Sequence, residues 1–175
     1  VTFEDVRVPL DAVIGAQDEA LPLLEEAVDF ATALVCAEAV GAIGSANAAT
    51  LEYLKTREQF GRPIGSFQAL QHRMVDMWMH CQLARASAEN ALLDWARPAD
   101  EGTRIQSLRA ARARAGATAL LVGKAAIQLH GGMGIADETD IGLCLKRALA
   151  LSAWLGNPLW QRARFLDEMM KTGRV

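Results

Sequence analysis

The chain has 175 residues, 51% of them hydrophobic, and a formal net charge of −3. That is enough apolar material for one well-filled core, and the weak negative charge excludes a general nucleic-acid binder. No uninterrupted apolar run approaches the roughly 18–20 residues of a membrane span, and no secretory signal is visible.

Three cysteines, Cys36, Cys81 and Cys144, are far apart in apolar patterns. An odd count without CxxC spacing argues against a zinc site or a disulfide framework, so they read as buried thiols in a reducing cytoplasm. His72, His80 and His130 lack metal-ligand spacing, and no metal is expected. The arginines at 104, 109, 112 and 114 spread around a helix and read as a solvated or subunit-facing surface.

In chain order, Val1 to Leu10 is the one convincing extended piece, with Phe3, Val6 and Val8 as strand formers and Pro9 as a stop. A lone strand needs a partner that this sequence does not contain, so the opening reads as the tail of another domain and the chain as a fragment or a partly ordered protein. From Asp18, a residue able to cap, Leu21, Leu24, Val28, Val35, Ala39 and Ile43 keep helical intervals to about Thr56. Gly41 and Gly44 inside this run would allow close helix approach or a mild kink. A loop follows with Gly61, Pro63 and Gly65, and Ser66 is the expected cap of the next helix. On that second helix Phe67, Leu70, Met74, Met77, Cys81, Ala84, Ala88, Ala91 and Trp95 advance by threes and fours, the seam of a bundle. Pro98 and its neighbours make the turn. A third helix spans about Glu101 to Leu129, with Ile105, Leu108, Ala115, Leu121, Val122 and Ile127 directed inward. It stops at Gly131–Gly132, and Gly134 tightens the loop. A fourth helix runs from about Asp137 to Leu155, Gly156-Asn157-Pro158 breaks it, and a short last helix reaches Lys171. The pattern predicts an all-α fold, an up-and-down four-helix bundle over 18–175, preceded by a short β-strand and exit loop over 1–17.

The loop between the first two helices concentrates Arg57, Gln59, Arg62 and Gln68 around Phe60. Arginine suits a phosphate oxygen, and glutamine both donates to and accepts from a heterocycle, so a nucleotide-like cofactor could be held there. An ordinary loop with solvated charges has the same composition. TREQFGRPIGSFQALQHRMVDM resembles the helix–loop–helix segment of the acyl-CoA dehydrogenases, a family of flavoenzymes. AIQLHGGMGIADE resembles that family's second flavin-contacting segment, and VTFEDVRVPLDAVIG is similar to the last strand of its middle β-domain with the exit loop.

The resemblance implies FAD bound at a subunit interface of a homo- or hetero-oligomer, dimer or tetramer, with this helical domain serving a neighbouring protomer's flavin. It places Arg57 at the flavin pyrophosphate, Phe60 beside it, and Gln59 and Gln68 at further polar contacts. Gln128, Gly131 and Gly132 fall along the adenine end. It also implies an acyl-CoA substrate and an electron-transferring flavoprotein as acceptor.

Catalysis departs from the family's pattern. These enzymes remove the α-proton of an acyl thioester with a glutamate while hydride passes to the flavin. The glutamate's usual place, before a glycine ahead of the last helix, holds Leu155, and its alternative place on the first helix holds Ala31. An aspartate–arginine pattern that often holds acyl-CoA keeps the aspartate as Asp29, but Thr32 stands at the arginine's place. Glu38 is a weak substitute base, more readily read as a buried or interface carboxylate. Three readings follow: a complete dehydrogenase with its base elsewhere, a subunit whose partner chain supplies the base, or a scaffold retaining only the fold. The two flavin segments favour the subunit, and AEAVG together with QLHGGMGIADE is most similar to the heteromeric branch.

Overall fold

Helical spacing along the sequence becomes five helices in the computed structural model, which describes residues 1–16, 18–97 and 100–171. They are α1 (Ala20–Thr56), α2 (Gln68–Ala96), α3 (Glu101–His130), α4 (Ile141–Ala153) and α5 (Pro158–Lys171). The first four make the bundle, and α3 is its axis, packing against α1, α2, α4 and α5. The seam read on α2 is the buried one: Met77, Cys81, Ala84, Ala88 and Ala91 are buried, and Phe67, Leu70, Met74 and Trp95 half-buried. Across from it α3 presents Ala111, Ala115, Ala119, Val122 and Ala126, all buried. Small side chains on both surfaces let the helix axes approach closely, so the core is built from many thin contacts rather than a few large residues. Cys36 and Cys81 are buried and Cys144 half-buried, all free thiols, and burial pushes Cys36 up to about 11.

Several local expectations differ from the structure. Asp18 has a left-handed backbone (φ 65°) and does not cap; α1 starts from Glu19, which makes no side-chain cap bond. Phe67, not Ser66, precedes α2, because the Ser66 hydroxyl donates instead to Pro63 O at 2.7 Å within a 3-10 turn. By contrast Asp100 is a working cap for α3, accepting from Thr103 N at 2.9 Å. The fourth helix begins at Ile141, later than expected, because Gly131–Ile135 winds into a 3-10 turn first. Leu121, expected to be directed inward, is exposed. A Cβ at Gly41 or Gly44 would meet nothing within 4 Å, so neither marks a close approach; those lie on α3, where Gly116 faces Arg112 and Pro158 and Gly123 faces Leu145. The turn assigned to Pro98 falls outside the described residues.

Residues 1–9 form no strand, and Phe3, Val6 and Val8 are exposed. A strand requires a partner ladder, and the described residues offer none at that place. The described sheet is the hairpin of β1 (Glu58–Gln59) and β2 (Arg62–Pro63) between α1 and α2. One helix, α1, is long and apolar enough to cross a membrane by length and composition, with a window of mean hydropathy 1.6. Its buried residues, from Asp29 to Leu54, pack within the bundle.

The loop after α3 folds back onto that helix at Gly134. A Cβ there would lie 2.5 Å from Ile127 O and 2.9 Å from Ile127 Cα, atoms of a helix backbone that cannot yield. Gly134→Ala is therefore expected to cost about 1–3 kcal/mol, seen in thermal unfolding as a Tm lower by roughly 2–10 °C; an unchanged Tm would show that the loop does not seat as described.

Candidate functional site

The stretch between α1 and α2 folds as a tight hairpin. Gln59 pairs with Arg62, leaving Phe60 and Gly61 as a two-residue loop with φ of 57° and 77°, the signs of a type I′ turn. The turn holds Phe60 in a conformation that ordinary side chains avoid, with the ring 90% exposed. It meets the edge of Phe67 at 6.0 Å, and the Arg62 guanidinium covers the Phe67 ring at 4.1 Å. The hairpin is anchored where Ile64 N donates to Arg57 O at 2.8 Å and Gln71 Nε2 donates to Gly65 O at 2.9 Å. Arg57, Gln59 and Gln68 are all exposed around it. The Gln59 amide nitrogen is engaged with Glu58 O at 2.8 Å, which leaves its oxygen as the free acceptor.

The second segment is the end of α3. Gly131 stops the helix with φ 60° and ψ −136°, a combination open essentially to glycine. Gln128, Gly131 and Gly132 are exposed, and a Cβ on either glycine would meet nothing within 4 Å, so the bare backbone faces open space. Two residues outside the sequence-based assignment join the segments. Tyr53, one turn before Arg57, donates its hydroxyl to His130 O at 3.2 Å, and the two rings stack at 4.3 Å. His130 Nδ1 in turn donates to Ala126 O at 2.9 Å. The sequence signal was available: the chain's single tyrosine stands just ahead of the first motif and a histidine within the second. The residues read as flavin contacts thus share one end of the bundle.

The residues read for substrate and catalysis lie elsewhere. Asp29 is 28 residues before Arg57 on the same helix, a separation on the order of 40 Å along its axis. It sits in the wall of a cavity of about 860 Å³ formed by the first turns of α1, the start of α3, the α4–α5 turn and α5. Arg109 reaches it from α3, with Nη2 3.0 Å from Asp29 Oδ1. The network continues from Arg109 Nη1 to Gln161 Oε1 at 3.4 Å, and from Gln161 Nε2 to Leu155 O at 2.8 Å. Burial raises the Asp29 carboxyl above its ordinary range, and the Arg109 charge acts against that rise. Leu155, at the usual place of the base, lines this same cavity in a left-handed conformation (φ 54°). Ala31 is half-buried on α1 and outside the cavity lining. Thr32 is fully buried, its hydroxyl given to Val28 O at 2.7 Å. Glu38 is exposed and paired with Arg147 at 2.5 Å; that hydrogen bond lowers its pKa, making it a poorer proton acceptor, and it does not line the cavity.

The arginine run on α3 is not the solvated surface expected. Arg109 and Arg112 are buried, Arg104 is half-buried, and Arg114 is the exposed one. Arg112 donates to the carbonyls of Leu151 and Trp154 at the end of α4, where the negative end of that helix's dipole offsets part of the cost of burial.

Residues 21–170 match the family model described as acyl-CoA dehydrogenase, C-terminal domain. Acyl-CoA dehydrogenase IpdE2 of Mycobacterium tuberculosis is 42% identical over 130 residues, 74% of this chain and 38% of that protein. Butyryl-CoA dehydrogenase from Megasphaera elsdenii has the same fold with a TM-score of 0.90 at 25% identity, over 96% of this chain and 43% of that one. A chain of the ChsE4–ChsE5 complex from M. tuberculosis gives 0.80 at 25% identity, over 86% of this chain and 40% of that one. The chain spans about two fifths of the length of the curated relatives it matches. On the family match and the helical fold together, it belongs to the acyl-CoA dehydrogenase family, of which it carries the C-terminal domain.

Proposed function

We propose that this chain is part of an FAD-dependent acyl-CoA dehydrogenase subunit that desaturates an acyl thioester between its α and β carbons, with the catalytic base supplied by a partner chain. The observation that carries the reading is the gathering of both flavin-facing segments at one end of the bundle, far from a cavity whose base place holds Leu155. Membership of an FAD-binding family supports FAD as the cofactor. Among the described residues no ion pair engages Arg57, so its guanidinium is free to meet a pyrophosphate oxygen. Phe60 offers an apolar face, the Gln59 oxygen and the Gln68 amide offer heterocycle contacts, and Gln128 with the bare backbone at Gly131–Gly132 suits the adenine end.

Bound FAD would supply the hydride acceptor. This chain's residues bind and orient it from one side. The proton acceptor comes from the subunit whose cavity faces that flavin, because neither Ala31 nor Leu155 can hold a proton. Asp29 would contact the thioester in this chain's own cavity. The likeness to a chain of a complex named for two proteins, ChsE4 and ChsE5, supports a hetero-oligomer. In the same reading residues 1–17 end a preceding β-domain, an electron-transferring flavoprotein takes the electrons, and the protein is cytoplasmic.

The visible absorption spectrum tests this directly. The purified protein should show flavin bands that acyl-CoA bleaches only when the partner chain is present; bleaching of this chain alone would remove the need for a partner. Arg57→Ala should weaken FAD binding by about ten- to a hundredfold, the worth of a charged hydrogen bond, with Tm unchanged because the residue is exposed; undiminished flavin content would refute its assignment. Leu155→Glu should let acyl-CoA bleach flavin beyond the extent reached by the parent assembly, the increment arising at this chain's own cavity. A folded, flavin-loaded variant that bleaches no further than the parent would remove that cavity from the acyl site.

A further inference from the structure

On the sequence, the cation that should accompany Asp29 is missing, because its place is Thr32. In the structure that side chain points into the core: Thr32 is fully buried and its hydroxyl is committed to Val28 O. Asp29 takes its cation from a different helix, Arg109 of α3, at 3.0 Å. Resting on the function proposed above, we propose that Arg109 is a positioning residue for thioester binding. It holds the Asp29 carboxylate aimed as an acceptor at the cavity wall, for the amide N–H groups of a coenzyme A arm.

Three observations carry this. The pair is a costly way to build a core. Both residues are 8% exposed, and Arg109 Nε is buried with no hydrogen-bond partner. Buried ion pairs of this kind are commonly no more stable than apolar residues of the same volume, so packing alone gives no reason for it. Second, the pair lies in the wall of the cavity of about 860 Å³ that Leu155 also lines, and Gln161, fully buried, ties Arg109 to the Leu155 carbonyl. The orientation of Arg109 is thereby fixed relative to the turn where the reacting end of a thioester would lie.

Third, the chemistry of the free oxygen is specific. An ionised carboxylate only accepts, and Arg109 engages Oδ1. A ligand for the remaining oxygen must bring an N–H or O–H, and an anionic group would be repelled by Asp29 and by Glu25 on the next turn. A neutral secondary amide fits those limits, and the coenzyme A arm carries such amides. Without Arg109, burial would raise the carboxyl further, with Arg164 left to oppose that rise, and a neutral carboxyl is a weaker acceptor than a carboxylate.

The test is calorimetric titration of the assembled, flavin-loaded protein with coenzyme A, with flavin content read separately from the visible spectrum. Arg109→Gln should weaken coenzyme A binding by roughly tenfold or more. Arg109→Lys should stay within about threefold, because a lysine ammonium keeps the cation against Asp29 Oδ1 and gives up only the longer contact to Gln161. The double variant D29L/R109M should fold with Tm and flavin content close to the parent and bind coenzyme A roughly tenfold or more weakly. Parent-like binding by a folded D29L/R109M overturns the proposal, and so does an Arg109→Lys loss equal to that of Arg109→Gln. Should the double variant not fold, the Lys and Gln pair decides alone. A parent protein that holds flavin yet binds no coenzyme A sinks this inference and leaves the flavin reading standing; an assembled protein without flavin sinks that reading itself.

Discussion

The stack of Tyr53 on His130 is the contact on which the candidate flavin-binding end depends. The hairpin at Phe60 follows the end of α1 and the glycine turn follows the end of α3, and nothing in either loop alone would hold them at a common surface. The tyrosine hydroxyl on His130 O satisfies a carbonyl in the last turn of α3, one of those a helix C-terminus leaves without an intrahelical donor. The histidine's own ring is tied to Ala126 O, one turn earlier on α3. Fixing two helix ends through one aromatic pair leaves the loops beyond them short and determined: a type I′ turn on one side, a glycine stop and a 3-10 turn on the other.

The length of α1 is the second constraint. With Asp29 near its start and Arg57 at its end, roughly 40 Å of rigid helix separates the cavity from the flavin-facing end. In the proposed function one flavin does not engage both ends of that rod, and each end completes a centre whose other half lies on a different polypeptide segment. On that proposal the absence of a proton acceptor at Ala31 and Leu155 does not bear on the segments read as flavin contacts, because those would serve a different cavity from the one that lacks a base.

How much of this was legible in the sequence follows from whether a residue's role is set by its own helix or by another. The α2 seam was readable because threes and fours on one helix determine which residues face inward. The stop at Gly131 was readable because only glycine takes its backbone angles. The first turns of α1 are helical as their spacing indicates, but spacing does not say what they face: Leu21, Leu24 and Val28 line a cavity and open surface rather than another helix. The arginines of α3 were misread for the converse reason. Their spacing spreads them around the helix, and only the positions of Asp29, Leu151 and Trp154 on other helices show where Arg109 and Arg112 find partners. Thr32 offers no cation to Asp29, and the one Asp29 pairs with, Arg109, comes from α3 and so from another part of the sequence.

The turn at Leu155 joins these threads. Arg112 fixes it from below through Leu151 O and Trp154 O, and Gln161 fixes it from the side through Leu155 O. Leu155 sits there in a left-handed conformation that costs a non-glycine residue about 1–2 kcal/mol, and Arg112 leaves Nε and Nη1 buried without partners. Neither cost is needed to pack a bundle: a longer apolar turn and an aliphatic residue on α3 would close the same space. The shape of the turn is thus held independently of the group it presents. A carboxylate can be absent from it while the cavity, the Asp29–Arg109 pair and the backbone beneath stay in place, which is the condition under which subunits of one assembly can divide proton removal and flavin binding between them.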